Sequence, residues 1–287
     1  MNNKILIIGS NGMLGSELMK VFSECNVVGL DKKDIDITQE EEIDKKIKEL
    51  NPNFVINAAA YTDVDGCETN HVLAEDVNGK AVGYLAKSVE KIGAIFVQYS
   101  TDYVFDGEKK DGYAENDEPE NPVNFYGKSK LLGEKLLKEN CKRYYLIRTS
   151  WLFGKNGKNF IDTILKLSKE KEEINVVNDQ YGKPTYAVDL AQKTKELIFG
   201  NYPFGRYHIT NEGETTWYNF AINILEVFKL LNPQEKFGKI IPCDSSEYKR
   251  AAKRPKWSVL KNTKISSCRN WTEVVEEYIK GLYENRN

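Results

Sequence analysis

Histidine is almost missing from this sequence: His71 and His208 are the only two among 287 residues. Ser-His-Asp or Cys-His catalysis, or metal binding by clustered imidazoles, would have to run through one of them, which leaves that chemistry little room. Cysteine is sparse and scattered. Cys25, Cys67, Cys141, Cys243 and Cys268 are odd in number and contain no CxxC pair, so neither a zinc knuckle nor a disulfide framework is supported and reduced cytoplasmic thiols are expected. Long apolar runs are missing too. The N-terminal run Ile5–Ile8 stops at Gly9, short of a signal-peptide core, and nothing later approaches the ~20 apolar residues of a membrane span. Charge of one sign is not in excess: 41 Lys and Arg against 43 Asp and Glu leave −2, with no general attraction to nucleic acid or to an anionic membrane.

What is present is the composition of a folded globule, 40% hydrophobic and 29% charged, in a chain about twice the length of a typical ~150-residue domain. Apolar runs at Lys4–Ile8, Asn26–Leu30, Phe54–Asn57, Ile95–Tyr99 and Tyr145–Arg148 read as strands buried on both faces. Helical patterns fall between them. Met13–Glu24 sets Leu14, Leu18 and Val21 on one stripe, Gln39–Leu50 carries Glu41/Lys45 and Glu42/Lys46 at i,i+4, and a long pattern covers His71–Lys91. This alternation predicts an α/β fold with a Rossmann-type doubly wound parallel sheet over residues 1–150, with a return segment around 174–191. Residues 151–287 read as a smaller α+β substrate domain, with helices at Lys158–Lys169, Ala187–Phe199, Thr216–Leu230 and Thr272–Tyr283. Turn-rich pieces separate them around Gly182–Pro184, Tyr202–Gly205 and Asn232–Gly238. The acid-rich stretch Asp106–Asn121 reads as a solvated loop.

Three motifs carry chemistry. Gly9-Ser10-Asn11-Gly12-Met13-Leu14-Gly15 follows the first strand and opens the first helix, where glycines let the backbone approach a pyrophosphate and the helix N-terminus faces the anion. At the end of the second strand Asp31 can accept from adenosine ribose hydroxyls, which favours NAD, while Lys32 and Lys33 can hold a 2′-phosphate, which keeps NADP open. The pair Tyr126 and Lys130 in Tyr126-Gly127-Lys128-Ser129-Lys130 shares one helix face, where a nearby ammonium lowers a phenol that otherwise titrates near pH ~10. Third, Ser100-Thr101-Asp102-Tyr103-Val104-Phe105-Asp106-Gly107 puts hydroxyls at the carboxyl end of a central strand, where the crevice of an open α/β sheet lies.

In this order the motifs resemble the extended short-chain dehydrogenase/reductase superfamily. Within it, Asn57-Ala58-Ala59-Ala60-Tyr61-Thr62-Asp63-Val64-Asp65, Arg148-Thr149-Ser150-Trp151-Leu152-Phe153-Gly154, Asp179-Gln180-Tyr181-Gly182-Lys183-Pro184-Thr185 and Arg254-Pro255-Lys256-Trp257 are similar to the dTDP-4-dehydrorhamnose reductase family. The resemblance implies reduction of the 4-keto group of a dTDP-linked 6-deoxyhexose by NADPH or NADH, giving dTDP-L-rhamnose for cell-surface polysaccharide. It makes Thr101, Tyr126 and Lys130 the catalytic set. Tyr126 donates the proton, Thr101 holds the carbonyl oxygen, and Lys130 biases Tyr126 and grips the nicotinamide ribose.

For the cofactor it implies Gly9, Asn11, Gly12, Met13, Leu14 and Gly15 at the pyrophosphate, Asp31 at the ribose and Asp36-Ile37 at the adenine. Ala58, Ala59 and Ala60 would line the nicotinamide half, and Tyr126 and Lys130 would touch the same ligand. Tyr103, Trp151 and Arg254 are the substrate contacts, Trp151 serving equally well as a core aromatic. The rest of the cluster Lys249, Arg250, Lys253, Lys256 reads as a solvated face. No metal is assigned, and a homodimer stays open. A nucleotide-sugar 4,6-dehydratase would need an Asp-Glu pair straight after the threonine, where Asp102-Tyr103 stands here. An epimerase, and a non-catalytic dinucleotide-binding regulatory subunit of a methionine adenosyltransferase, are the other readings.

Overall fold

The computed structural model describes residues 3–284. The chain begins β1 (Lys4–Ile8), α1 (Met13–Val21), β2 (Asn26–Leu30), α2 (Glu40–Leu50), β3 (Phe54–Asn57), α3 (Val64–Cys67) and α4 (His71–Glu75). A π-helical turn over Asp76–Lys80 leads into α5 (Ala81–Lys91), then β4 (Ile95–Thr101), a 3-10 turn (Asp102–Val104), α6 (Phe125–Asn140) and β5 (Tyr144–Thr149). Next come β6 (Leu152–Phe153), α7 (Phe160–Glu170), β7 (Glu173–Val177), β8 (Tyr181–Gly182), β9 (Thr185–Tyr186) and α8 (Ala187–Phe199). The chain ends with β10 (Gly205–His208), β11 (Thr215–Thr216), α9 (Trp217–Leu231), β12 (Lys239–Cys243) and α10 (Trp271–Glu284).

The main sheet has the order β10-β5-β4-β3-β1-β2, and all of its pairings are parallel. Both faces are covered, which is why β1 and β3 at its centre run almost wholly apolar rather than alternating with polar residues. Within β1 the period of two sends Ile5 and Ile7 to a core shared with α1 and α8, and Leu6 and Ile8 to a core shared with α2, α5 and α6. Leu14 and Leu18 of α1 meet Leu190 and Ala191 of α8 in the first core; Ile43 and Ile47 of α2 meet Leu85 and Val89 of α5 in the second. A third core gathers Ile161 and Ile164 of α7, Ile174 of β7, Phe220 and Ile224 of α9, and Val275 of α10. Of the stretch 174–191, Ile174 and Val176 thus face the third core, while Leu190 and Ala191 face the first.

Three features depart from expectation. The sixth strand, β10, comes from the piece around Tyr202–Gly205 that reads as a turn; its backbone pairs with β5 from Gly205↔Tyr145 to His208↔Arg148. The helix expected over His71–Lys91 is broken by the π turn, where buried Asn78 leaves helical register to bond the Tyr61 backbone and Ser129. The acid-rich stretch Asp106–Asn121 is a pinned strap rather than a solvated loop. Glu115 is 0% exposed and accepts from the Thr263 amide at 2.9 Å and the Thr263 hydroxyl at 2.6 Å, while Glu118 grips Arg206 through both oxygens. Burial works to raise the Glu115 carboxyl, and those Thr263 bonds outweigh it and hold it low.

Candidate active site

The strand order reverses at β1: the chain leaves it outward to β2 and returns on its other side as β3. A crevice opens at such a switch point, beyond the carboxyl ends of the two strands. Its floor is built by close backbone approach. Gly9 has φ +80°, and a Cβ there would stand 2.8 Å from the Ala59 nitrogen; a Cβ on Gly15 would stand 1.9 Å from the Gly9 carbonyl oxygen. The loop, the Ala58–Ala60 segment and the first turn of α1 are therefore packed backbone to backbone, and only glycine fits. Helix α1 starts from Gly12 with no side-chain cap, so its first amides face the crevice. Asp31 fastens the loop: its Oδ2 accepts from the Ser10 hydroxyl at 2.9 Å and the Asn11 amide at 2.7 Å. Further out, Asp36 is exposed and held low by the backbone and hydroxyl of Thr38, and Ile37 is buried beneath it.

Two strands away, since β3 separates β1 from β4, Thr101 ends β4 at a lateral distance of ~10 Å. Its Oγ1 donates to Asp102 Oδ1 at 2.9 Å, accepts from the Tyr103 amide at 3.2 Å, and lies within hydrogen-bonding reach of the Tyr126 hydroxyl. Tyr126 is in the first turn of α6, which Asn124 caps by accepting from the Gly127 amide at 2.8 Å; Glu68 takes the Phe125 amide at 2.6 Å. One turn on, Lys130 is buried and its ammonium donates to the Tyr99 carbonyl at 2.7 Å. Tyr126 and Lys130 thus share a face of α6 that meets the end of β4.

Electrostatically the pair departs from expectation. The phenol of Tyr126 is pushed up, by burial first and by the Asp102 charge second, rather than drawn down by Lys130. Burial brings the Lys130 ammonium down to about 8, against the pull of Glu134. Asp102, whose Oδ2 has no partner among the described residues, is raised by burial to about 7. The physical reason is shared: an apolar pocket penalises each charged form more than the nearest opposite charge favours it.

A cavity of about 680 Å³ runs from Tyr103 into the third core. Phe160 and Trp217, with ring centroids 4.6 Å apart, form an aromatic wall, and Lys249, Arg250, Lys253 and Arg254 are also among the lining residues. That basic cluster is solvent-facing as expected, but it also borders the cavity, a placement that spacing alone does not reveal. Arg254 is committed to Asp65 by a bidentate pair at 2.6 and 3.0 Å, which holds the Asp65 carboxyl down to about 2. Trp151 is not brought to the cavity lining. With φ +46° it stacks on Trp217 at 3.6 Å beneath Gly182, so it supports the wall from behind.

Residues that the motifs did not point to complete the site. Asn78 ties Tyr61 to Ser129, Asn124 joins its helix cap to the Lys253 carbonyl at 2.8 Å, and Glu68, just after α3, holds the start of α6, while Asp65, which ends the Asn57–Asp65 motif, holds Arg254. The partners of Glu68 and Asp65 lie 57 and 189 positions away in the sequence.

The family described as the RmlD substrate binding domain matches residues 3–284. A dTDP-4-dehydrorhamnose reductase of Burkholderia thailandensis is 41% identical over 270 residues, covering 90% of each chain. The spore coat polysaccharide biosynthesis protein SpsK of Bacillus subtilis is 38% identical over 283 residues, covering 96% of this chain and 97% of its own. Among solved structures, a dTDP-4-dehydrorhamnose reductase of Clostridium acetobutylicum superposes with a TM-score of 0.92 at 42% identity, over 98% of this chain and 99% of its own. One from Bacillus anthracis, in complex with NADP, gives 0.91 at 36% identity over 98% and 100%.

Proposed function

Because the chain belongs to the RmlD substrate binding domain family, we infer that it reduces the 4-keto group of dTDP-4-dehydro-L-rhamnose with NADPH or NADH, giving dTDP-L-rhamnose. The observation that carries this reading is the meeting of Thr101, Tyr126 and Lys130 at the end of β4, beside a glycine cradle that a single Cβ would fill. That cradle fits a dinucleotide. Gly9 and Gly15 admit the pyrophosphate, the uncapped amides of α1 bind it, Asp31 takes the ribose and Ala58–Ala60 flank the nicotinamide half. When bound, the nicotinamide supplies the hydride.

The chain's own residues handle the proton and the charge. A carbonyl gaining hydride becomes an alkoxide, and the interactions that count are those stronger to that oxygen than to the ketone. Thr101 turns its hydroxyl to this oxygen and Tyr126 donates the proton. A phenol raised by burial holds its proton throughout the neutral range and still gives it readily to an alkoxide, a far stronger base. Lys130 then steadies the phenolate that remains, so its ammonium form is the active one. In the cavity, Trp217 and Phe160 offer faces to the base or sugar, and Arg250 and Lys253 offer charge to the diphosphate. Arg254 orients that segment from its pair with Asp65. The substrate is soluble and the enzyme cytoplasmic in this reading, in keeping with the lack, among the described residues, of any helix long and apolar enough to cross a membrane.

The test is the absorbance of reduced nicotinamide with dTDP-4-dehydrorhamnose. Wild-type protein should oxidise NADPH, and Tyr126→Phe should lower kcat by ~10²–10⁴-fold with NADPH affinity retained. No oxidation by wild-type protein would end the reading.

A further inference from the structure

Behind the catalytic helix lies a buried ionic network that the reaction above does not use. Glu134 and Arg148 are 1% and 0% exposed. Arg148 Nε donates to Glu134 Oε1 at 2.9 Å and its Nη2 to Oε2 at 2.6 Å, while the Ser100 hydroxyl donates to Oε1 at 2.6 Å. Beyond Arg148, its Nη1 stands 3.4 Å from His208 Nε2. Such a pair contributes little net stability, because desolvating both ions offsets their attraction. Its place in the fold is more telling. Glu134 follows Lys130 by four residues, so the two side chains leave the same face of α6 one turn apart. Both reach β4 just ahead of Thr101, Lys130 at the Tyr99 carbonyl and Glu134 at Ser100.

We propose that Glu134 is a positioning residue for the reduction, holding Lys130 as an ammonium and fixing α6 on the end of β4 so that Tyr126 faces Thr101. The proposal rests on the reading in which charged Lys130 acts on Tyr126. Burial alone would drive the Lys130 ammonium below the value of about 8 at which it stands, and the Glu134 carboxylate is the charge that opposes this. Other charged groups lie on elements packed against α6: Glu68 of α3, His71 and Glu75 of α4, Asp76 and Lys80 of the π turn, Lys87, Glu90 and Lys91 of α5, and Asp102 after β4. None of these joins Glu134 in acting on Lys130. Burial works to raise the Glu134 carboxyl, but the Arg148 guanidinium and its hydrogen bonds outweigh it and keep Glu134 ionised. Arg148 thus serves Glu134, and Glu134 serves Lys130.

The experiment is the pH profile of kcat/KM for the nucleotide sugar in wild type, Glu134→Gln and the double variant Glu134→Gln/Arg148→Met. With the carboxylate gone and Arg148 unpaired, Lys130 loses its proton at lower pH. The alkaline limb of Glu134→Gln should move down by about one unit, giving ~5-fold lower kcat/KM near pH ~8, approaching ~10-fold above it, and a near-wild-type value near pH ~6. In the double variant the opposing charge is gone too, so its limb should fall between the others. A purely structural role would lower the whole profile without moving the limb, and that result overturns the proposal. Should Glu134→Gln fail to fold, the double variant, which leaves no unpaired guanidinium at position 148, is read against wild type, and a coincident limb is then the overturning result. Lys130→Met is measured alongside. If it keeps wild-type kcat, the reading of Lys130 falls and this proposal with it; if it is inactive and the limb stays put, only the role of Glu134 falls.

Discussion

Thr101 and Ser100 are neighbours with a hydroxyl each, and the structure assigns them to different networks, which makes their substitution a sharp test. Thr101 Oγ1 donates to Asp102 Oδ1 at 2.9 Å, accepts from the Tyr103 amide at 3.2 Å and reaches Tyr126. Ser100 donates to Glu134 at 2.6 Å. Thr101→Val keeps the volume, leaves the Tyr103 amide without its acceptor and takes one bond from the Asp102 carboxyl, at ~1–2 kcal/mol each and so ~2–4 kcal/mol in all. A domain of ordinary stability survives that loss. Asp102, already raised by burial to about 7, loses a bond that favours its charged form, so it moves further up and stays protonated at neutral pH. The hydrogen bond to the developing alkoxide is worth ~3 kcal/mol, so kcat should fall by ~10²-fold with KM changed little. Thr101→Ser should recover most of the rate. Ser100→Ala removes the bond by which Glu134 reaches β4, so it should cost ~1 kcal/mol of stability and lower kcat by far less than Thr101→Val, because Glu134 keeps its charge and both bonds to Arg148. Steady-state NADPH oxidation and urea unfolding measure the two quantities separately. Wild-type turnover in Thr101→Val, or an equal loss in Ser100→Ala, would refute the placement of the carbonyl oxygen at Thr101.

A Cβ at Gly15 would sit 1.9 Å from the Gly9 carbonyl oxygen, so Gly15→Ala must open the loop; calorimetry should show NADPH affinity reduced by ~100-fold with dTDP affinity unchanged, and equal loss of both would point to general unfolding instead. Asp65→Asn removes the charged partner that aligns Arg254 and the Ala252 amide, so KM for the nucleotide sugar should rise by ~10-fold with kcat nearly constant, and an unchanged KM would contradict the assignment. Buried His208 is lowered from 6.5 to about 4, by burial first and by Arg148 second. A base depressed in the folded state gives stability that is present above the unfolded value of 6.5 and lost as pH falls through about 4. Urea unfolding of His208→Gln should therefore show a flatter dependence across that window, and a slope equal to wild type would mean that other groups govern it.

The Rossmann half was legible because its physics is local. Lys4–Ile8 and Phe54–Asn57 fall where their apolar runs put them, since a strand buried on both faces has no other composition open to it, and Asn26–Leu30 does so too, although at the sheet edge only its Leu30 is buried. The sixth strand was not. Gly205–His208 starts at the end of the Tyr202–Gly205 piece that reads as a turn and carries the polar Arg206 and His208, and it becomes a strand because the β5 edge needs a partner and Glu118 and Arg148 receive those two side chains. The π turn is hidden for a similar reason: Asn78-Gly79, a pair that by itself favours a turn, sits inside a long helical pattern, and the bonds of Asn78 to Tyr61 and Ser129 decide what forms there.

The candidate site divides along the same line. Gly9 and Gly15 declare themselves, because a positive φ and a 1.9 Å approach admit one residue type, and the Tyr126–Lys130 spacing is a property of one helix. The sign of the electrostatics was not legible, because it is set by burial. A phenol one turn from an ammonium is made more acidic in water, and the same phenol in a dry pocket, with the ammonium turned to the Tyr99 carbonyl, is made less so. The cavity is the extreme case. Its cations sit in one segment, Lys249 to Arg254, but Trp217 and Phe160 come from separate helices, and Asp65, which aims Arg254, is 189 positions away. The glycine loop and the Tyr126–Lys130 pair thus follow from short-range spacing. The direction in which each group is tuned follows from three-dimensional packing, and it is there that Glu134, four residues beyond a lysine any motif would find, acquires its work.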